Sequence, residues 1–543
     1  MKHAIIPLII SSSILASCVG NASLWGQYAT PTPPGGAAPT SSPVPQIIPT
    51  STPIPVEPLT FGITTTSTPT VISDTFVTQA VTSLIETPTV AVDGQSILYY
   101  SQNGDWLPAV AKRFGVDVSE ITSPKILPEA GFLDTGTLLI IPRRQEGEVQ
   151  LTQSLQFIPD SEFVFSATAV DFDITAYVRE AGGYLSTYRE YLGSTGWTSG
   201  AGVIERAAYE NSVNPRLLLA ILDYESQWVR GNPENKFRTE YPMGYENFRN
   251  KGMFLQLSWA INQMSKGYYG WRSGSLTELT FRDGSKLRLD PTLNAGTVAI
   301  MVLFSRLHSL NEWLRIMDGT SGFASFYQNM FSDPWARAEA SGPVFPPGIT
   351  QPQMALPFET HTAWVFTGGP HSAWGVHQLQ DASAMEGALA ALDFAPASEK
   401  TGCIPSTTWI LATAPGLVVR TGKGIVVVDM DGDGSEQTGW NILYLHVANQ
   451  SRVSKGQWVE MNDLIGHASC EGGMSTGTHL HFARKYNGEW VIADGPIPFV
   501  LSGWTVIAGE KPYEGKLVKG NKIIVADVYG QSRALIFREE DGE

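Results

Sequence analysis

Two hydrophobic periods divide this chain. Near its first quarter, Leu107, Val110, Ala111 and Phe114 recur at i, i+3, i+4 and i+7, the spacing of an amphipathic helix, with Asp105 placed to cap its start and Gly115 to end it. Val118 and Ile121 suggest a second short helix. Apolar runs at Ile97–Tyr100 and Gly136–Pro142 read as flanking strands, so the predicted order is βααβ. A longer helix is signalled by Asn214 at the cap and Pro215 in the first turn, followed by RLLLAILDYESQW. In the C-terminal third the period falls to two. Thr478-His479-Leu480-His481-Phe482 puts His479 and His481 on one strand face and Leu480 and Phe482 on the other. Lys516 to Ile536 also alternates and predicts a closing hairpin. Helices and strands therefore fall in separate blocks rather than alternating.

The first 94 residues follow neither period. Lys2 and His3 precede an apolar run from Ala4 to Ile14, shorter than the roughly 20 residues that span a bilayer. With the small residues after it, residues 1–18 read as an export signal. Residues 19–94 read as a linker: ten prolines fall between positions 31 and 60, and no Lys or Arg occurs between Lys2 and Lys112. Leu15-Ala16-Ser17-Cys18 resembles the bacterial lipobox. That resemblance implies cleavage before Cys18 and a lipid on it, leaving the protein exported and anchored at the extracytoplasmic face of the bacterial cell envelope. Lipidating Cys18 leaves one even pair, Cys403 and Cys470, which either bridge in an oxidising compartment or stay as two buried thiols.

Composition narrows the function. The 543 residues allow several domains, and 43% hydrophobic content with 15 Trp and 23 Phe excludes a wholly disordered chain. Lys plus Arg total 36 against 52 Asp plus Glu, a net charge of −16, which argues against nucleic acid as a partner.

Two segments carry resemblances to glycan-associated families. NGDWLPAVAKRFGV and TGTLLIIP, within residues 95–144, resemble a LysM domain, which implies binding to N-acetylglucosamine-containing glycans such as peptidoglycan. Trp106 stands where that family usually has Thr. Across residues 172–345, NPRLLLAILDYESQW, LDPTLNAGTVAIMVLF and FASFYQNM resemble, in order, helices of lytic transglycosylases and related lysozymes. The resemblance implies an α-helical lysozyme-like domain with Glu225 as catalytic acid, its pKa raised by apolar surroundings. The family's Gly-Leu-Met-Gln segment is replaced by KGMFLQLSWAINQMSKGYYGW, whose aromatics suggest a sugar-stacking surface.

The strongest chemistry lies in residues 355–510. Two imidazoles side by side on a strand suit a metal site, completed by a carboxylate and a further His. Asp393 stands between apolar neighbours, His371 is expected on a loop, and His446 follows the apolar run from Trp440. These pieces, in this order, resemble lysostaphin-type (LytM-like) zinc metallopeptidases and imply a C-terminal antiparallel all-β domain. By that resemblance His371, Asp393 and His481 bind Zn2+, His446 and His479 handle protons, and the substrate is the peptide crosslinks of peptidoglycan. The gap from His371 to Asp393 is longer than usual, which leaves three alternatives: an inserted loop, His377 as the first ligand, or a site that binds no metal. A wall-binding scaffold or activator without catalysis is the competing function. Asp429-Met430-Asp431-Gly432-Asp433-Gly434 echoes the start of a calcium loop but has Trp440 at the twelfth position, so it reads as a solvated hairpin tip. Residues 511–543 read as a C-terminal extension.

Overall fold

The computed structural model describes residues 95–144, 150–374, 387–397, 402–529 and 532–540; Cys18, the linker at 19–94 and His377 lie outside the described residues. Among the described residues no helix is long and apolar enough to cross a membrane.

The first module pairs strand Ser96–Tyr100 antiparallel with Leu138–Pro142 around helix Leu107–Phe114. Two expectations are corrected. The cap is Trp106, extended at φ −141°, while Asp105 is drawn inward: it accepts from Tyr99 Oη at 2.6 Å and from the Gln102 amide at 2.8 Å, and pairs with buried Arg113. The expected second helix is a single 3-10 turn, Val118–Glu120. A capping box between Asp117 and Glu120 closes it, and by Ile121 the backbone is already extended to bridge Thr122 to Ile140.

The central block is helical. Asn214 caps Pro215–Ser226 by accepting from the Arg216 amide, and Pro215 occupies the first turn, as the sequence indicates. The 21-residue helix Met253–Ser273 packs against Ala295–Leu307, which is apolar on nearly every face and buried along almost its whole length. Trp259, Tyr268, Tyr269 and Trp271 of the longer helix are buried among core residues. The expected sugar-stacking surface is therefore corrected: these rings fill the core.

The C-terminal block is built on an antiparallel sheet in the spatial order Trp458–Val459, Gly416–Gly422, Ile425–Asp429, Trp440–Leu445, Leu480–Tyr486, Leu389–Pro396, Trp364–Ser372, Leu535–Ile536, with Glu489–Trp490 beside Leu480–Tyr486. Both faces are covered. Ala391, Leu443, Leu445 and Ala483 join the core of the helical block, whereas their neighbours Leu392, Ile442, Tyr444, Leu480 and Phe482 join a second core with Val506 and Leu517. Burial on both sides explains why these strands read as nearly unbroken apolar runs.

The expected break at 510/511 falls inside a four-stranded antiparallel sheet, in which Trp504–Ala508 pairs with Gly515–Lys519 and the latter with Lys522–Val525. Leu535–Ile536 then returns to pair with Trp364 and Val365. Residues 511–540 are thus part of the β block rather than an appendage. The three blocks also share a buried ionic knot. Arg272, at the end of the long helix, pairs with Glu489 at 2.9 Å and Asp160 at 3.0 Å and donates to the Asn103 carbonyl of the first module.

Candidate metal centre

His371, Asp393 and His481 come together on three adjacent strands. His481 lies opposite Asp393 in the pairing of Leu480–Tyr486 with Leu389–Pro396, which places the two side chains on one face. His371 sits within strand Trp364–Ser372 rather than on a loop, and successive register shifts along that pairing turn it towards Asp393. His371 Nε2 lies 3.1 Å from His481 Nδ1, and each is 3.3 Å from Asp393 Oδ1. The residues between His371 and Asp393 thus leave the two groups adjacent.

The outward nitrogens fix the proton positions. His371 Nδ1 lies 2.8 Å from the Gly369 carbonyl and His481 Nε2 lies 2.9 Å from the Ala373 carbonyl. A carbonyl accepts only from N–H, so in the neutral form of each ring the inward nitrogen carries a lone pair. These nitrogens face each other and Asp393 Oδ1, a buried oxygen with no hydrogen-bond donor. Burial lowers the His481 pKa, which keeps the ring neutral. Burial alone would raise Asp393, yet the adjacent His371 and His479 hold it well below the ordinary carboxylate range. With both rings neutral, these three ligand atoms within reach of one point form a receptacle for a divalent cation.

His446 and His479 stand beside this cluster, their rings 4.5 Å apart. His446 follows the end of strand Trp440–Leu445 at φ 66°, a left-handed conformation held by two hydrogen bonds from Ser469 to its carbonyl. Its Nδ1 lies 2.9 Å from the Glu471 carbonyl, and His479 Nδ1 lies 2.8 Å from that of Gly477. Both rings therefore offer Nε2; that of His479 is 3.7 Å from Asp393 Oδ1. Burial and the nearby His479 and His481 push the His446 pKa down to about 3, so it is a neutral acceptor at ordinary pH.

Two supports come from outside the motif. Tyr513 stacks on His371 with ring centres 4.1 Å apart and planes at 19°. Its loop is joined to the His371 strand by hydrogen bonds from the Gly369 amide to Tyr513 O and from the Tyr513 amide to Pro370 O. A Cβ on Gly369 would lie 2.3 Å from the Glu514 carbonyl, so this approach requires glycine. Sequence reading missed Tyr513; its only local signal is an aromatic after the turn residues Lys511-Pro512. Cys403 and Cys470 form a disulfide across 67 positions, next to the Glu471 carbonyl that orients His446.

Glu225 is not brought to this cluster, and its surroundings differ from those expected. Oε2 is 3.1 Å from Arg238 and Oε1 is 2.9 Å from His308, so both oxygens are occupied by nitrogen partners instead of facing apolar walls. Asp429 is fully buried, so its hairpin is solvated only beyond it; burial and neighbouring Asp431 raise its pKa to about 7.

A scaffold that brings His, Asp and His side chains to one point, with two further imidazoles beside them, is that of a metal-dependent hydrolase. Residues 403–492 match the model of peptidase family M23, and residues 156–344 match that of the LasA N-terminal domain. A beta-lytic metalloendopeptidase of Lysobacter enzymogenes is 34% identical over 168 residues, which cover 30% of this chain and 83% of that protein. The chain belongs to peptidase family M23 and is a metalloendopeptidase by that membership. Protease LasA of Pseudomonas aeruginosa is 25% identical over 372 residues, covering 64% of this chain and 78% of LasA. Among solved structures, the M23 metalloprotease pseudoalterin from the deep sea aligns at a TM-score of 0.26 with 23% identity, over 33% of this chain and 96% of that one. The helical block, expected to be lysozyme-like, is the part covered by the LasA N-terminal match.

Proposed function

We propose that this protein is a zinc-dependent endopeptidase that cleaves peptide crosslinks of peptidoglycan. The observation that carries this reading is the triangle of ligand atoms on His371, Asp393 and His481, with edges of 3.1, 3.3 and 3.3 Å. Ligands about 2.0–2.1 Å from a tetrahedral zinc are separated by ~3.3 Å, so the three atoms fit one face of such a site. Bound there, zinc supplies Lewis-acid chemistry, making water acidic near neutral pH and polarising a peptide carbonyl. The chain's own residues do the rest. His446 accepts a proton at Nε2 and returns it to the departing amine, and His479 stabilises the carbonyl oxygen once its Nε2 carries a proton. The Glu471 and Gly477 carbonyls hold Nδ1 of each ring and leave Nε2 to exchange the proton.

Further readings complete this proposal. The N-terminal module is a LysM-type binder of peptidoglycan glycans, and a lipid on Cys18 holds the protein at the extracytoplasmic face of the envelope. Their support is the NGDW–TGTLLIIP pattern with its paired strands, and the Leu-Ala-Ser-Cys run after an apolar segment. Glycan cleavage by Glu225 is left out of the proposal, because its two oxygens meet Arg238 and His308 in place of the apolar walls expected of it. Purified peptidoglycan digested with and without a chelator tests the reading. New amino termini that vanish on chelation are expected. Chelator-resistant release of reducing or anhydro ends, with no new amino termini, would sink it.

A further inference from the structure

A second concentration of metal donors lies at the other end of the strand that leads to His446. The hairpin joining Ile425–Asp429 to Trp440–Leu445 carries Asp429, Asp431 and Asp433, and one carboxylate oxygen of each lies within 4.8 Å of the other two. Asp429 is fully buried, while Asp431 and Asp433 reach solvent. Carboxylates alone, however crowded, do not make a site; the neighbouring strand adds the deciding group.

Asn441 stands directly opposite Asp429 in the pairing of the two strands and is also fully buried. Facing residues of an antiparallel pair project on one side, with Cβ atoms ~5 Å apart. The Asn441 Nδ2 donates to the Thr438 carbonyl at 2.7 Å, within the same loop. That bond leaves Oδ1 as the free end of the amide beside Asp429, and Oδ1 is buried without a donor. A buried acceptor facing the buried Asp429 across the strand pair is costly to leave unpaired, and a cation between them would satisfy both.

The loop is shaped around that point. Gly434 N donates to Asp429 Oδ2 at 2.9 Å, and Ser435 N and Thr438 Oγ1 donate to the two oxygens of Asp433 at 2.8 and 2.6 Å, so the loop orients the carboxylates and their oxygens retain lone pairs. Gly434, at φ 89°, turns the chain at the sixth position after the Asp-x-Asp-x-Asp spacing. Trp440 stands at the twelfth position, where a calcium loop of the helix-loop-helix type has Glu; here the far side is filled from the partner strand.

We propose that Asp429, Asp431, Asp433 and Asn441 bind a calcium ion at the tip of this hairpin. All four donors are oxygens, which favours a hard cation and separates this site from the imidazole-containing centre. The ion pins the start of strand Trp440–Leu445, whose far end delivers His446. Its role is to brace a catalytic strand, and it takes no part in the reaction.

The test uses the full chain with zinc already loaded, so that failure here and failure of the zinc reading remain separate. Terbium(III) serves as the probe, because the Trp458 ring lies 2.9 Å from the Cβ position of Gly432 and can sensitise its emission. Saturable terbium emission displaced by calcium is expected, with a calcium-dependent rise in Tm complete by about 5 mM, above the range of extracellular calcium modules. Replacing the two exposed carboxylates (Asp431→Asn with Asp433→Asn) leaves the core intact and is expected to weaken calcium about tenfold or more. The same variant should be no less stable than the native chain in calcium-free buffer, since it relieves repulsion. Absence of both responses in the native chain, or an equal response in the variant, would overturn the proposal.

Discussion

Replacing Arg272 with Met tests whether the three sequence blocks form one cooperative body. The side chain is 8% exposed and its guanidinium spans Glu489, Asp160 and the Tyr268 hydroxyl. Met keeps the apolar stem and removes the charge, leaving Glu489 and Asp160 without their cation. Removing one partner of a buried pair costs about 3–5 kcal/mol, most of it the stranded charge. The penalty must depend on pH. Burial already raises the Glu489 pKa against the opposing pull of Arg272, so losing Arg272 raises it further. A carboxyl raised above its unfolded value contributes stability that is complete below the unfolded pKa and is lost as pH rises through the folded one. The deficit of the variant should therefore be largest near pH 8 and shrink as pH falls towards about 5. Urea unfolding followed by Trp fluorescence measures it, with one shared transition expected for the native chain. A deficit below about 1 kcal/mol, or one that does not change with pH, would refute the reasoning.

Other expectations follow from the same geometry. Arg420 and Lys485 hold buried Glu436 down to about 2 against the upward push of burial. This depressed carboxyl stabilises the fold above its unfolded pKa, so stability should fall as pH drops from about 4.5 towards 2; Glu436→Gln should flatten that fall in an acid-unfolding series. Removing the Cys403–Cys470 bond, which closes a loop of 67 positions, should cost about 4 kcal/mol by loop entropy and lower kcat by loosening the Glu471 carbonyl that orients His446. Tyr513→Phe should keep the stack on His371 and retain metal, whereas Tyr513→Ala should weaken metal affinity about 10–100-fold in competition with a chromophoric chelator.

What could be read from sequence was what local periodicity controls. The alternation at His479 and His481 carries their shared face, and Asn214-Pro215 carries a helix start, because each depends on residues one to four positions apart. His371 was legible as a ligand by resemblance but not as a strand residue, since the register shifts that turn it are tertiary. Tyr513 was invisible because it reaches the site from a loop 32 positions past His481, and nothing local marks a ring that will stack on another strand. The surroundings of Glu225 escaped sequence for the same reason in reverse. Its helix neighbours are apolar, but Arg238 and His308 arrive from distant segments and set its chemistry. The aromatic run 251–271 resembled a surface until helix packing gave those rings a core to fill. The boundary at 510 followed a drop in motif density, whereas the chain goes on to complete the sheet.

His371, Asp393 and His481 each bring a ligand atom to one point, and everything else at the site is arranged around them. Zinc content of the purified full chain, by mass spectrometry of metals, tests this most directly when paired with His481→Ala and Asp393→Asn. One zinc per native chain, lost from both variants while their folds persist by circular dichroism, is the predicted result. A native chain that takes up no zinc from a stoichiometric supply, or variants that retain it, would contradict the account.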